Sequence, residues 1–372
     1  MSTSNQFIEH QSERVLSVDF FRGVTMFLLI GESTRLYSHL AKLGDSGIIN
    51  FIATQLQHHE WNGLYFWDLI QPFFMTIVGV AIPFAIATRK KKGASDRSIL
   101  HHAIKRSFIL LLLGWSVYCI GPGKIVWRFQ DVLAQLSVTY LIAFLIRNKS
   151  VKFQISFTLI ILLLIDLAYR FFPVEGFNQP WVPHKNLGAW INQLVEGTDK
   201  TSIWATLNFV STTAHTVWGV LVGKLLISKK SSTEKLKILC IAGVCCLFIG
   251  YSLDWLQITP IIKKIATASF VFASGGWTLL ALALSYWLID VKKIFVDGSL
   301  FFRIVGMNCI AIYLFFEIGG AGLLYKAFTP FPTTLLAWAG ETTVHITTSL
   351  LVWAAQWGMC YWLFKNRIFI KI

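Results

Sequence analysis

The chain has 372 residues, of which 55% are hydrophobic, 15% aromatic and only 14% charged. Soluble domains carry about 25% charged residues, and the mean hydropathy of +0.60 argues against that class. The net charge of +14 (33 Lys and Arg against 19 Asp and Glu) sits in short loops between apolar runs. That is the pattern that orients membrane helices, so a nucleic-acid partner is not expected.

The apolar runs are about 20 residues long, enough to cross about 30 Å of hydrocarbon. They do not alternate as β-barrel strands do. The sequence predicts an all-α, polytopic integral membrane helical bundle of about ten transmembrane helices. Residues 1–13 read as a short cytoplasmic tail and residues 14–372 as a single transmembrane domain.

Span one is expected at about Leu16–Tyr37, with Asp19 and Arg22 neighbours on one helix face. A loop follows to about Glu60. Span two, about Gly63–Thr88, ends in Arg89, Lys90, Lys91 and Lys92. Spans three (about Ser107–Ile120), four (about Asp131–Ile146) and five (about Phe153–Phe171) precede a long polar stretch, 172–202, that holds Trp181, His184 and Trp190. Span six is expected at about Ile203–Ile227, seven at about Ile238–Asp254, eight at about Ile265–Ile289, nine at about Phe301–Tyr325 and ten at about His345–Phe364.

The loops after the even-numbered spans are the more basic ones. The positive-inside rule therefore puts both termini in the cytoplasm, and His58 and the Trp-containing loop on the outside. No cleavable signal peptide is expected, because the first apolar run keeps its charges and lacks a small-residue cleavage site. The six cysteines lie in or beside apolar runs without metal-type spacing, so they read as small buried hydrophobes. No metal site is expected.

The stretch His58–Pro83, HHEWNGLYFWDLIQPFFMTIVGVAIP, departs from a simple anchor. It carries two histidines, Trp61-Asn62-Gly63, and Asp68 inside an apolar run, where an ionisable group is expensive. On a regular helix Trp61 and Asp68 would share a face. Pro72 cannot donate to the Asp68 carbonyl, which frees that acceptor and bends the helix. Asp68 reads either as the wall of a wet cavity or as a structural charge paired with a cation of another span. His58 is a natural proton acceptor near neutral pH, but ten helical residues cover about 15 Å. On one straight helix Asp68 would not reach it: either the His58 segment folds back or the two have separate roles, and separate roles is the expectation. In span nine, Asn308 and Glu317 would face different neighbours. No P-loop, dinucleotide, zincin or nucleophile-elbow motif is present.

Several blocks together resemble the heparan-α-glucosaminide N-acetyltransferase family, from Arg14 to the C-terminus, nearly the full length. They are RVLSVDFFRGVTM at 14–26; His58-x-x-Trp61-Asn62-Gly63 with Asp68 and Pro72; Arg128 with Val132-Leu133; Gly219-x-x-x-Gly223-Lys224; Pro260-Ile261-x-Lys263 with Thr267 and Ser269; Gly306-Met307-Asn308 with Tyr313 and Glu317; and RIFIKI at 367–372. The chain departs from the family pattern at Gly31-Glu32-Ser33, Ala134-Gln135 and Ala266.

The resemblance implies an acyltransferase that takes acetyl from cytosolic acetyl-CoA, its co-substrate, to the amine of a glucosamine-type sugar on the far side of the membrane. By motif the active histidine is His58, not His59. Trp61, Asn62, Asp68, Asn308 and Glu317 would support it, while Arg22, Arg128 and Lys263 would contact the coenzyme, whose phosphates would lie near basic residues such as those at 89–106. The implied partners are acetyl-CoA, an amino-sugar or glycan acceptor and the lipid bilayer, with a homodimer left open. The implied location is the inner, cytoplasmic membrane, as a multi-pass protein. Two alternatives stand beside this reading: a carrier for an amino sugar or cell-wall fragment, and an acyltransferase with a different glycan acceptor.

Overall fold

The computed structural model describes residues 15–43, 47–199, 201–370 and 372. The expected tail 1–13 and Arg14 of the first family block lie outside the described residues. What is described is helical. The nearest approach to a strand is one isolated antiparallel bridge, Asn62 to Ile262.

In chain order the helices are α1 (Leu16–Ser33), α2 (Leu36–Leu40), α3 (Gly47–Gln55), a 3-10 turn (Phe66–Leu69) running into α4 (Ile70–Lys91), α5 (Asp96–Ile120) and α6 (Val132–Ile146). Then come α7 (Val151–Arg170), α8 (Leu187–Glu196), α9 (Asn208–Ile227), α10 (Ser232–Trp255) and α11 (Ala268–Tyr286), which ends in a π turn at Trp287–Val291. The chain closes with α12 (Val296–Met307), α13 (Cys309–Glu317), α14 (Gly320–Phe328), α15 (Pro330–Leu336) and α16 (Glu341–Lys365).

Among the described residues six helices are long and apolar enough to cross a membrane: Phe66–Lys91, Asp96–Ile120, Val151–Arg170, Asn208–Ile227, Ser232–Trp255 and Ala268–Val291. The bent pair α12–α13 would make seven. The expectation of about ten spans is therefore met only in part, for physical reasons that differ by helix. α1 carries Asp19, Arg22 and Glu32 within its 18 residues. α6 is apolar but has only 15 residues. α16 mixes Thr, Gln and Trp into its 25 residues. Span nine is broken at Asn308, where the axis turns by 58°. The helical-wheel separation expected for Asn308 and Glu317 does not apply, since the helix restarts between them.

Two boundaries shift for reasons visible in the sequence. The expected span two begins at Gly63, whereas helix begins at Phe66, because Gly63 adopts φ +146° and ends an extended segment. Pro72 falls in the first turn of α4, where proline is tolerated, and Phe66–Lys91 runs through it as one span. The expected loop before span three is helical from Asp96, capped by the Ser95 side chain accepting from the Ser98 N–H at 3.2 Å.

α4, α9 and α11 are largely buried, while α5, α7 and α10 mostly face outward. The close α4–α9 crossing depends on three glycines. A Cβ on Gly79 would lie 2.0 Å from the Thr216 carbonyl oxygen, one on Gly219 2.2 Å from that of Thr76, and one on Gly223 2.5 Å from that of Val80. Small residues four apart are how membrane helices bring backbones together without a hydrophobic driving force. Gly79→Val is expected to lower stability by roughly 1–3 kcal/mol, through forced separation of the pair. A thermal melt in detergent checks this against Gly322→Ala, where a Cβ meets nothing within 4 Å.

Candidate active site

Helix N-termini leave backbone N–H groups without partners, and Asp68 uses its carboxylate to answer that need. It sits in the first turn, 1% exposed. Its Oδ2 accepts from the Tyr65 N–H at 3.0 Å and the His59 N–H at 3.2 Å. Its Oδ1 accepts from His58 Nδ1 at 2.9 Å. A capping carboxylate therefore folds the preceding loop back over the helix end. This corrects the expectations that Asp68 does not reach His58 and that Trp61 and Asp68 share a helix face. Residues 58–65 are not helical, so the chain reverses and the straight-helix separation never arises.

A second loop, between α10 and α11, completes the site. Gly63 N–H donates to the Ile261 carbonyl at 2.8 Å, beside the Asn62–Ile262 bridge. The loop is held by side chains at its two ends. Asp254 Oδ1 accepts from the Ile261 N–H at 2.8 Å, Thr267 Oγ1 donates to the Pro260 carbonyl at 2.8 Å, and Ser269 Oγ donates to the same carbonyl at 2.7 Å. The Pro260-Ile261-x-Lys263 block with Thr267 and Ser269 is thus one folded unit. It delivers Lys263, 6% exposed, with Nζ 3.1 Å from His58 Nδ1 and 3.5 Å from Asp68 Oδ1. Lys264 Nζ reaches back to the Glu60 carbonyl, tying the two loops at a second point.

The electrostatics follow from this geometry. An ionised carboxylate only accepts, so toward Asp68 the His58 Nδ1 is the donor and Nε2 is left as the accepting nitrogen, while the Lys263 ammonium, itself only a donor, bears on the same Nδ1 as a neighbouring charge. Burial, and then the ammonium of Lys263, push the His58 imidazole below the ordinary histidine range, against the opposing pull of Asp68. Burial lowers Lys263 to about 8, against the raising effect of Asp68 and Glu32. At neutral pH the arrangement is Asp68 ionised, Lys263 cationic and His58 neutral, which leaves a base or nucleophile at Nε2.

Aromatic rings enclose the site. Trp204 meets His58 edge-on at 5.2 Å and lies 5.5 Å from Lys263 Nζ. Trp61 Nε1 donates to the Trp181 carbonyl at 2.7 Å, fastening the histidine loop to the long polar stretch, while the Asn62 side chain is exposed. Trp67 Nε1 donates to Glu32 Oε1 at 2.9 Å, and the charge of Glu32 reaches Lys263.

The other expected site residues are engaged elsewhere. Arg22 pairs with Asp19 at 3.4 Å. Arg128 donates to Glu196 Oε2 through Nε at 3.1 Å and Nη2 at 2.7 Å. Asn308 clasps the C-terminal segment, donating to the Ile368 carbonyl and accepting from the Ile370 N–H, both at 3.0 Å. Glu317 lies near Tyr313, whose hydroxyl donates to Asp131 at 2.8 Å.

Sequence reasoning missed Glu32 and Trp204 as site residues. Glu32 was visible only as a departure from the family pattern, and Trp204 looked like one more aromatic in an apolar run. Among the described residues no group of three or more His, Cys, Asp or Glu is arranged to hold a metal.

No family model matches the chain. Two relatives do, along almost its whole length. Heparan-alpha-glucosaminide N-acetyltransferase of Mus musculus is 24% identical over 97% of this chain and 61% of the relative. The protein of the same name in Homo sapiens is 23% identical over 96% of this chain and 60% of the relative. The chain is a relative of the heparan-alpha-glucosaminide N-acetyltransferases. It spans about 60% of the length of these two. The resemblance read from the sequence motifs is borne out.

Lys263→Gln removes one cause that holds His58 down. The imidazole is then expected to titrate at higher pH than in the unchanged protein, a shift that NMR of ring-labelled histidine would follow. Asp68→Asn removes an opposing cause, and a further downward shift is expected.

Proposed function

We propose that this protein is a transmembrane acetyltransferase that passes acetyl from acetyl-CoA to the amine of a glucosamine-type sugar, with His58 as the catalytic group. The observation that carries the reading is the His58–Asp68–Lys263 constellation. It presents a neutral, oriented imidazole at one end of a helix long enough to cross the membrane. The two relatives named above are acetyltransferases acting on glucosaminide, which supports the same chemistry here.

The other end of that helix carries Arg89, Lys90 and Lys91. Read with the positive-inside rule, this charge supports a topology in which His58 lies outside and the coenzyme enters from the cytoplasm. The residues then take the following roles. His58 Nε2 removes the proton from the sugar amine as nitrogen attacks the thioester carbonyl. The tetrahedral centre collapses and expels the CoA thiolate, which takes up a proton. Alternatively, His58 Nε2 itself attacks the thioester, releases CoA and hands acetyl to the sugar. Both routes need the tautomer that Asp68 enforces. Lys263 keeps the imidazole neutral and balances the Asp68 charge, and Trp204 and Trp61 wall the acceptor side. The site would operate in the inner, cytoplasmic membrane.

The carrier reading draws on the break at Asn308. Transporters built on broken helices usually carry them in pairs at corresponding positions of two repeats, and among the described residues a single such pair is bent.

The test is acetyl transfer from labelled acetyl-CoA to glucosamine by the purified protein. His58→Ala is expected to lower the rate by about 10²–10⁴, the usual worth of a general base, while His59→Ala keeps most of it. Full activity in His58→Ala, or no N-acetyl product from any amino sugar in the unchanged protein, would sink the proposal. The rate should rise as pH increases through the His58 titration, because the neutral imidazole is the competent form. Exchange of label between CoA and acetyl-CoA without sugar separates the covalent route from direct transfer.

A further inference from the structure

At the far end of α4 from His58 the bundle gathers a cluster of cations and aromatic rings. Arg89 of α4, His102 and Arg106 of α5, and Tyr140 and Phe144 of α6 line a pocket. Arg147, just past α6, lies over the Phe144 ring at 3.8 Å and donates through Nη1 to the Phe144 carbonyl at 2.7 Å. Arg106 lies over the Tyr140 ring at 4.8 Å.

Cations at the end of a membrane helix ordinarily reach into solvent, and Lys90, Lys91 and Lys92 are exposed here. Arg106 and Arg147 differ in three respects. Their guanidiniums are held on aromatic faces. Their Nε atoms are buried and have no hydrogen-bond partner among the described residues. No carboxylate ion-pairs with either of them among the described residues: the acid whose charge reaches Arg147 is Asp96, which is exposed and pairs with Lys90 at 3.1 Å. Around them the charges are alike. Arg89, Lys105 and Arg106 all bear on His102, and Lys224 of α9 lies close to Arg147.

Such a set repels itself and keeps buried N–H donors unsatisfied. The group that answers both faults is an anion with several strong acceptor oxygens, and the arginine fork matches phosphate geometry. We propose that this pocket binds a phosphate group. The phosphate could belong to a coenzyme A molecule or to the headgroup of an anionic phospholipid. The first source rests on the acetyltransferase reading, and the second does not.

The test uses the full chain purified in detergent, with Arg106→Gln/Arg147→Gln, and with Arg106→Lys/Arg147→Lys in case the first variant fails to fold. The lysine pair keeps the charge but loses the planar fork. Calorimetry with CoA and with pantetheine, which lacks the phosphates, is set beside melting temperatures in phosphatidylglycerol and phosphatidylcholine nanodiscs. If the coenzyme is the source, CoA binding weakens about tenfold or more in a folded variant, the worth of one charge-assisted hydrogen bond, while pantetheine binding is unchanged. If a lipid is the source, CoA binding holds and the stabilisation by phosphatidylglycerol disappears. Both readouts unchanged in a folded variant would overturn the proposal. Should the unchanged protein bind no CoA, the acetyltransferase reading fails, and the lipid comparison still decides the pocket.

Discussion

Asp68 is the group on which the rest of the candidate site depends. Its two oxygens accept from two backbone N–H groups and from His58, and a lysine from a distant part of the chain lies 3.5 Å away. The same carboxylate thus starts the helix, folds the loop back, selects the imidazole tautomer and draws in the counter-charge. A buried carboxylate is tolerable only when it is this fully engaged. Removing one partner of such a pair typically costs about 3–5 kcal/mol. The interaction that starts the helix therefore also orients the histidine, so under the proposed function stability and chemistry would be coupled.

The bundle makes this possible by fixing the helix that carries Asp68. α4 is locked to α9 through Gly79, Gly219 and Gly223, where backbone meets backbone with no room for a Cβ. α9 in turn begins beside the lysine loop, where Asn208 Nδ2 donates to the Lys264 carbonyl at 3.1 Å and the Ala205 N–H donates to the same carbonyl at 2.9 Å. The two loops of the site are therefore mounted on packed helices, and a short bridge at Asn62–Ile262 joins them directly. The geometry near His58 rests on this scaffold rather than on loop flexibility.

Much of this was legible in the sequence. The Asp19–Arg22 pair follows from i,i+3 spacing and is present at 3.4 Å. The apolar runs mark α5, α7, α9, α10 and α11 to within a turn or so, apart from extensions into flanking polar residues that helix capping explains, as at Ser95 and Ser231. His58 and Asp68 were both singled out, but their contact was not. A helix running from Gly63 would hold them apart, and Gly63 at φ +146° prevents that helix. Lys263 enters from the sequence through the family resemblance, as a coenzyme contact, whereas the structure sets it against His58 and Asp68. No periodicity links it to a histidine 205 residues earlier; only the folded loops bring them together. The break at Asn308 had no proline to announce it, and what holds it is a side-chain amide clasping the C-terminal segment.

The central claim is that acetyl crosses between a donor on one face and an acceptor on the other, through a site poised by Asp68 and Lys263. The most direct measurement seals the protein into liposomes of known orientation, with acetyl-CoA only on the Arg89–Lys91 side and glucosamine only on the His58 side. The account predicts N-acetylated sugar on the glucosamine side, free CoA remaining with the donor, and neither in His58→Ala. Transport of unmodified glucosamine without acetylation, or product formed only when both substrates share the Arg89–Lys91 side, would contradict it.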